Sequence, residues 1–210
     1  MKPYLDEMIL DVWHDIQARE QEADIEGSMA SLTPEAWLEG IKRGVIELED
    51  RVIQVEEKRL MEEQLYIRLP KSMQPVPRGL SQGGREAREH DHISYSDPKL
   101  AIRFGLSLMS HSLQMGQVES FKNAMIVSMK QKKQGVQWMD EKIIELNELT
   151  IGLCECILPM NQDTYYQVIF MTSLHGRALL GSFHFKLEDA ALWQPLSNAI
   201  IRCLRISQTT

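Results

Sequence analysis

The chain is short of cysteine, of long apolar runs and of positive charge. Its 210 residues hold three cysteines, Cys154, Cys156 and Cys203. The number is odd, and one residue separates the first two, a spacing poorly suited to a relaxed disulfide within a strand. This excludes a disulfide-stapled secreted scaffold and points to a reducing, cytoplasmic setting. No stretch approaches the ~20 apolar residues of a spanning helix. Residues 1–7 turn acidic at once, without the apolar segment of a signal peptide, so no membrane insertion is expected. Lys and Arg number 23 against 30 Asp and Glu, a net charge of −7, which argues against a general nucleic-acid binder. Chemical motifs are missing too. Gly83-Gly84 has no Gly-Lys-Ser/Thr after it to cradle a phosphate. Neither Ser110-His111-Ser112 nor Ser182 lies in a Gly-X-Ser-X-Gly elbow. No cofactor is expected.

What is present is a folding composition, 43% hydrophobic and 25% charged, with its charge unevenly placed. Residues 1–66 carry 17 acidic and 7 basic side chains, residues 67–210 carry 13 and 16, so the two parts attract each other or the acidic part faces a basic partner. Leu5, Met8, Ile9, Val12, Trp13 and Ile16 form one helical stripe, suited to packing on a second helix or to docking another protein. Thr33-Pro34-Glu35 is a helix start. Trp37, Ile41, Val45, Leu48, Val52 and Val55 then follow at the four-and-three spacing of a coiled-coil-like seam. Residues 1–62 are therefore expected to be an acidic helical hairpin, and residues 63–210 a second domain.

In that second part, Leu65-Tyr66-Ile67-Arg68-Leu69-Pro70 alternates and stops at proline, as a strand does. Residues 100–108 alternate as well. Val118, Phe121, Met125 and Met129 place a helix over residues 117–133, closed by Gly135. Short strands are expected over 136–139, 142–146 and 150–157, with Asn147-Glu148 turning between the last two. Residues 165–172 and 178–185 form a hairpin around Gly176, and a helix follows Lys186 with Leu192, Leu196, Ile200 and Leu204 as its stripe. Strands followed by packed helices make the class α+β. His90-Asp91-His92 would put two imidazoles on one strand face, half of a metal site, and Cys154-Glu155-Cys156 would present two thiols. An exposed loop and buried small hydrophobes are the plainer readings of the two. The twelve methionines suit a surface that accepts varied apolar helices, or the filling of core gaps.

The order of these elements resembles a known family. A strand ends in Leu69-Pro70, and another contains Ala101-Ile102-Arg103-Phe104-Gly105. A helix precedes Trp138; then come Asn147, the Tyr166 strand, the Gly176 turn, Gly181-Ser182-Phe183-His184-Phe185, and a last helix with Trp193-Gln194-Pro195 and Ile200. Over about residues 64–206 this is similar to the PsbP/DcrB-like superfamily, whose members share an α/β/α sandwich with an antiparallel sheet. The resemblance implies a protein-binding scaffold without catalysis, in the cytosolic form of a chaperone or adaptor for a secreted effector. The acidic residues 1–60 have no counterpart in the family core. The partner expected is another protein, such as an apolar helical segment of an effector, or a second copy in a homodimer. Leu5, Ile9, Val12, Trp13, Ile16, Trp37, Met125 and Met129 are the residues expected to meet it. The alternative is a small metal- or thiol-dependent enzyme using His90, His92, Cys154 or Cys156.

Overall fold

Pro34 opens helix α1 (Pro34–Arg43), as the Thr33-Pro34-Glu35 signal anticipates, but Gly44 closes it after ten residues. The computed structural model describes residues 32–77, 92–132, 135–146, 149–160 and 163–207. The chain divides after Thr33, and Pro34–Thr210 is one unit. The helix expected over residues 5–16 lies outside the described residues. Gly44 has φ +86°, a left-handed conformation that glycine adopts without a Cβ penalty and that commonly ends helices. Arg68 then satisfies the freed carbonyls: its Nη1 donates to Ile41 O at 2.7 Å and to Lys42 O.

Beyond Gly44 the expected second helical arm is corrected. Strands β1 (Val45–Glu47) and β2 (Val52–Leu60) run antiparallel, with Ile46 opposite Ile53. Val45, Leu48, Val52 and Val55 have helical spacing, but β-branched residues dominate the stretch and stiffen it towards extended backbone. Ile53 and Val55 are buried while Val52 and Gln54, alternating with them, are exposed, the period of a strand. Strand β3 (Leu65–Pro70) follows as expected. With β11 (Arg205–Ile206) it completes a four-stranded antiparallel sheet, β1-β2-β3-β11.

A seven-stranded antiparallel sheet forms the rest. Its strands are β4 (Gln74–Pro75), β5 (His92–Asp97), β6 (Ile102–Ser112), β7 (Gln137–Leu146), β8 (Leu149–Met160), β9 (Asp163–Leu174) and β10 (Arg177–Lys186). Their order is β4-β5-β6-β10-β9-β8-β7. His175 and Gly176, both at positive φ, form the two-residue turn between β9 and β10, the geometry that matches strand twist. Where short strands over 136–139 and 142–146 are expected, β7 is one strand with its register shifted between Trp138 and Asp140. Asp140-Glu141 resembles a break in sequence. On an outer strand, charge and a bulge are tolerated without ending the ladder. The expected Asn147-Glu148 turn lies outside the described residues.

Alternation along β8 sorts the faces of this sheet. Cys154, Cys156 and Leu158 cluster with Ile126 of helix α2 (Val118–Lys132) and with Ile169 and Met171 of β9. Glu155, between the cysteines, points to the opposite side and meets helix α3 (Ala190–Arg202). Helices on both faces give the α/β/α layering. The four-stranded sheet is an addition to it, making two antiparallel sheets and three α-helices among the described residues, an α+β fold. On the α3 side Phe104, Phe170, Phe183 and Phe185 are fully buried beside Trp193, Leu196 and Ile200. The Phe104 ring lies 4.9 Å from Phe183 and 6.5 Å from Phe170. Each such side chain contributes roughly 1.5–3 kcal/mol of burial, so this side holds the main core.

Candidate functional site

The two thiols on which the alternative enzyme reading relies are sealed, as the plainer reading of buried small hydrophobes expects. Cys154 and Cys156 have no exposed surface and lie under α2, among Ile126, Leu158, Ile169 and Met171. Burial, then the neighbouring Cys156 and Glu141, push the Cys154 thiol up to about 12. At neutral pH it is a protonated small hydrophobe, and a nucleophile or metal ligand must be a thiolate. A native-state disulfide-exchange reagent is expected to modify Cys203, which is only half-buried, and to reach Cys154 and Cys156 only on unfolding. Rapid labelling of all three in the native protein would contradict this arrangement. A pH effect follows from the same burial. The unfolded thiol releases its proton near 9.0, the folded one near 12. Between these values the unfolded chain binds fewer protons, so this contribution is intact below pH 9.0 and is lost as pH rises. The slope is about 1.4 kcal/mol per pH unit. Urea unfolding of Cys154→Ala is expected to show a shallower alkaline decline than the parent; parallel declines would remove Cys154 as the cause.

The alternative reading's second pair is only half described. His90 lies outside the described residues, and His92 begins β5. Among the described residues no three His, Cys, Asp or Glu side chains converge as a metal site would require. His92 is instead held between two serines: Nδ1 lies 2.8 Å from Ser107 Oγ and Nε2 lies 2.9 Å from Ser94 Oγ. A neutral imidazole donates through one nitrogen and accepts at the other, so one hydroxyl donates and the other accepts. A serine donating to histidine is half of an activated nucleophile. Oxyanion stabilisation would also need spare backbone N–H groups, and here β6 is laddered on both sides, to β5 and to β10.

This serine–histidine contact belongs to a larger polar row. Ser107 pairs with His92 on one side and Leu180 on the other; Gly105 pairs with Ser94 and Ser182. Leu180 packs in the α2 cluster, so the whole row faces the α2 side. Helix α2 contacts β8 and β9. It also reaches the C-terminal end of β6, where Phe121 stacks on His111 with ring centres 5.2 Å apart, while Gly105 and Ser107 lie further back along that strand. The floor there consists of His92, Ser94, Gly105, Ser107, Ser182 and His184, all half-buried. Among the described residues, a Cβ at Gly105 would make only ordinary contact, with Ser182 Oγ at 3.8 Å and the His92 ring at 3.9 Å. In the sequence the signal was the alternation of Arg103, Gly105 and Ser107 with Ile102, Phe104 and Leu106.

On the opposite face a buried carboxylate ties the sheet to α3. Glu155 is 1% exposed. It accepts from Asn198 Nδ2 at 2.9 Å, from Gln194 Nε2 at 3.0 Å, and from the Tyr166 hydroxyl. Lys142 Nζ stands 3.8 Å away. Burial, reinforced by the Glu155 charge, raises the Tyr166 phenol far above its usual range, so Tyr166 remains a donor. Glu155 is saturated by its partners, which makes the cluster a structural tie rather than an acid–base centre.

No protein-family model and no curated protein matches the sequence. Solved structures do match. Cyanobacterial PsbP (CyanoP) from Synechocystis sp. PCC 6803 superposes with a TM-score of 0.55 at 6% identity, over 77% of this chain and 98% of that one. The fold is PsbP-like. A Bacteroides thetaiotaomicron VPI-5482 protein gives a TM-score of 0.50 at 9% identity, covering 73% of this chain, which spans about half of that protein (48%). LpqN, involved in cell envelope biogenesis of Mycobacterium tuberculosis, gives 0.47 at 13% identity, over 76% and 94%.

Of the residues expected to meet a partner, three are described. Leu5, Ile9, Val12, Trp13 and Ile16 lie outside the described residues. Trp37 is buried on α1. Met125 and Met129 turn towards the cysteine cluster and are half-buried there, so core filling accounts for their place. Among the described residues no helix is long and apolar enough to cross a membrane.

Proposed function

We propose that this chain is a non-catalytic protein-binding module, an adaptor or chaperone, that holds a partner polypeptide on the β5–β6–β10 portion of the large sheet. The observation carrying this reading is the half-buried polar row from His92 to Ser182, whose hydroxyls and imidazole share one face of the sheet. Its hydroxyls and imidazoles favour a partner that presents hydrogen-bonding groups, and the apolar grip expected from the methionines receives no support from their inward positions. The cytosolic secretion-chaperone form is the finer version of the same reading. Three free cysteines, two of them buried side by side, favour a reducing compartment.

Affinity purification of the full chain from its native host, with mass spectrometry, tests the proposal. The expected result is a polypeptide recovered in near-stoichiometric amount with the parent chain and lost with Ser182→Tyr, which replaces a hydroxyl of the row with a bulky ring. Recovery of the chain alone, at low and at moderate salt, would overturn it. So would a partner retained equally by the variant.

A further inference from the structure

The outer face of the four-stranded sheet carries an arginine array in an otherwise acidic protein. Tyr66 of β3 is the cross-strand neighbour of both Arg59 on β2 and Arg205 on β11. The guanidinium carbons of Arg59 and Arg205 lie 5.8 and 5.4 Å from the centre of the Tyr66 ring, within cation–π reach. Arg68, two residues along β3, shares that face. Stacking on Tyr66 pre-orders two long side chains that would otherwise lose rotamer freedom on meeting a ligand. Their ends stay accessible: the Arg59 and Arg205 side chains are 60% and 63% exposed.

The array is only partly neutralised. Glu57 accepts from Arg205 and lies 3.9 Å from Arg68. Arg59 has a loose contact with Glu63 at 3.8 Å, between two largely exposed side chains, an interaction worth little in water. The C-terminal turns of α1 and α3 add Lys42, Arg43 and Arg202 nearby. The fields of Lys42, Arg68 and Arg205 all act on the half-buried Cys203 thiol, where burial outweighs them. Arg68 also reaches the α1 end directly, donating to the carbonyls of Ile41 and Lys42.

We propose that this array is a second docking surface, specific for an acidic polypeptide segment with clustered Asp or Glu side chains. It is independent of how the polar row of the large sheet is used. Two features select carboxylates over a nucleic acid. Glu57 already sits among these guanidiniums, so the array displays the carboxylate geometry it recognises. The net charge of −7 would oppose a long polyanion crossing the rest of the surface, whereas a short acidic segment touches the array alone.

Fluorescence anisotropy of a dye-labelled oligoglutamate peptide, titrated with the full chain, tests the assignment. Binding is expected at low salt and is expected to weaken towards ~0.15 M salt, as screening dictates. The Arg59→Gln/Arg205→Gln variant should bind about tenfold more weakly, and the Lys99→Gln control should match the parent. Arg59→Gln alone, which leaves the Arg205–Glu57 pair intact, should fall between them. No binding by the parent, equal loss in the control, or tighter binding of a single-stranded oligonucleotide than of oligoglutamate would each overturn the proposal. Unchanged circular dichroism of the variants separates lost docking from lost fold.

Discussion

Gly181→Ala is expected to destabilise the protein by about 3 kcal/mol, at the upper end of ordinary overpacking. A Cβ at position 181 would lie 2.1, 2.3 and 2.8 Å from three atoms of the Phe170 ring, distances no side-chain carbon tolerates. The ring cannot step aside cheaply, because Phe170 is fully buried and stacked 6.5 Å from Phe104. Urea unfolding should show a lower midpoint with an unchanged slope. The double variant Gly181→Ala/Phe170→Leu provides the diagnostic. A smaller side chain at 170 makes room for the new methyl, so the two changes together should cost less than their sum. Gly181→Ala within about 0.5 kcal/mol of the parent would mean that the ring–glycine contact does not constrain the core.

Glu155→Ala is expected to cost a further-reaching 3–5 kcal/mol, roughly the penalty for removing one partner of a buried charged network. The loss would leave the Tyr166 hydroxyl, the Gln194 and Asn198 amides and the Lys142 ammonium facing a hole. Tyr166→Phe removes one donor and leaves the carboxylate with its other partners, so about 1–2 kcal/mol is expected. The order Glu155→Ala well above Tyr166→Phe is the test by chemical denaturation. Equal effects would show that the tyrosine alone carries the tie. Because the cluster joins β8 to α3 on the face opposite the polar row, partner recovery by Tyr166→Phe should match the parent.

Much of the α/β/α part was legible because its signals are local. The His175-Gly176 turn, the alternating β3 and β10, and the stop at Pro70 each follow from residues adjacent in sequence. What failed was periodicity shared by two structures. Val45, Val52 and Val55 fit a helical seam and a strand equally well by spacing, and Gly44 was the deciding residue. Its left-handed backbone ends the helix and starts the strand. Charge misled in the opposite sense at Asp140-Glu141, where an interruption turned out to be one strand whose side chains alternate between helices. Glu141 reaches Lys122 and Lys130 of α2, and Lys142 turns to Glu155. The candidate sites were less legible. Burial was the plainer reading of Cys154 and Cys156 in their apolar strand, and tertiary packing under α2 supplies the lid that seals them. The polar row was visible as alternation on β6; its neighbours on β5 and β10 are distant in sequence and join it only through sheet register. The arginine array likewise needs β11, some 140 residues from β2, to meet β3.

The outer position of β7 has one more consequence. An unpaired strand edge invites a foreign backbone to extend the sheet, the first step towards fibrous growth. Here an incoming strand would meet a dislocated ladder at Met139, then Glu141 directed to one face and Asp140 and Lys142 to the other. At this border, among the described residues, the protein thus carries its own deterrent to polymerisation. Neutralising Asp140 and Glu141 together would be the shortest route to making it sticky.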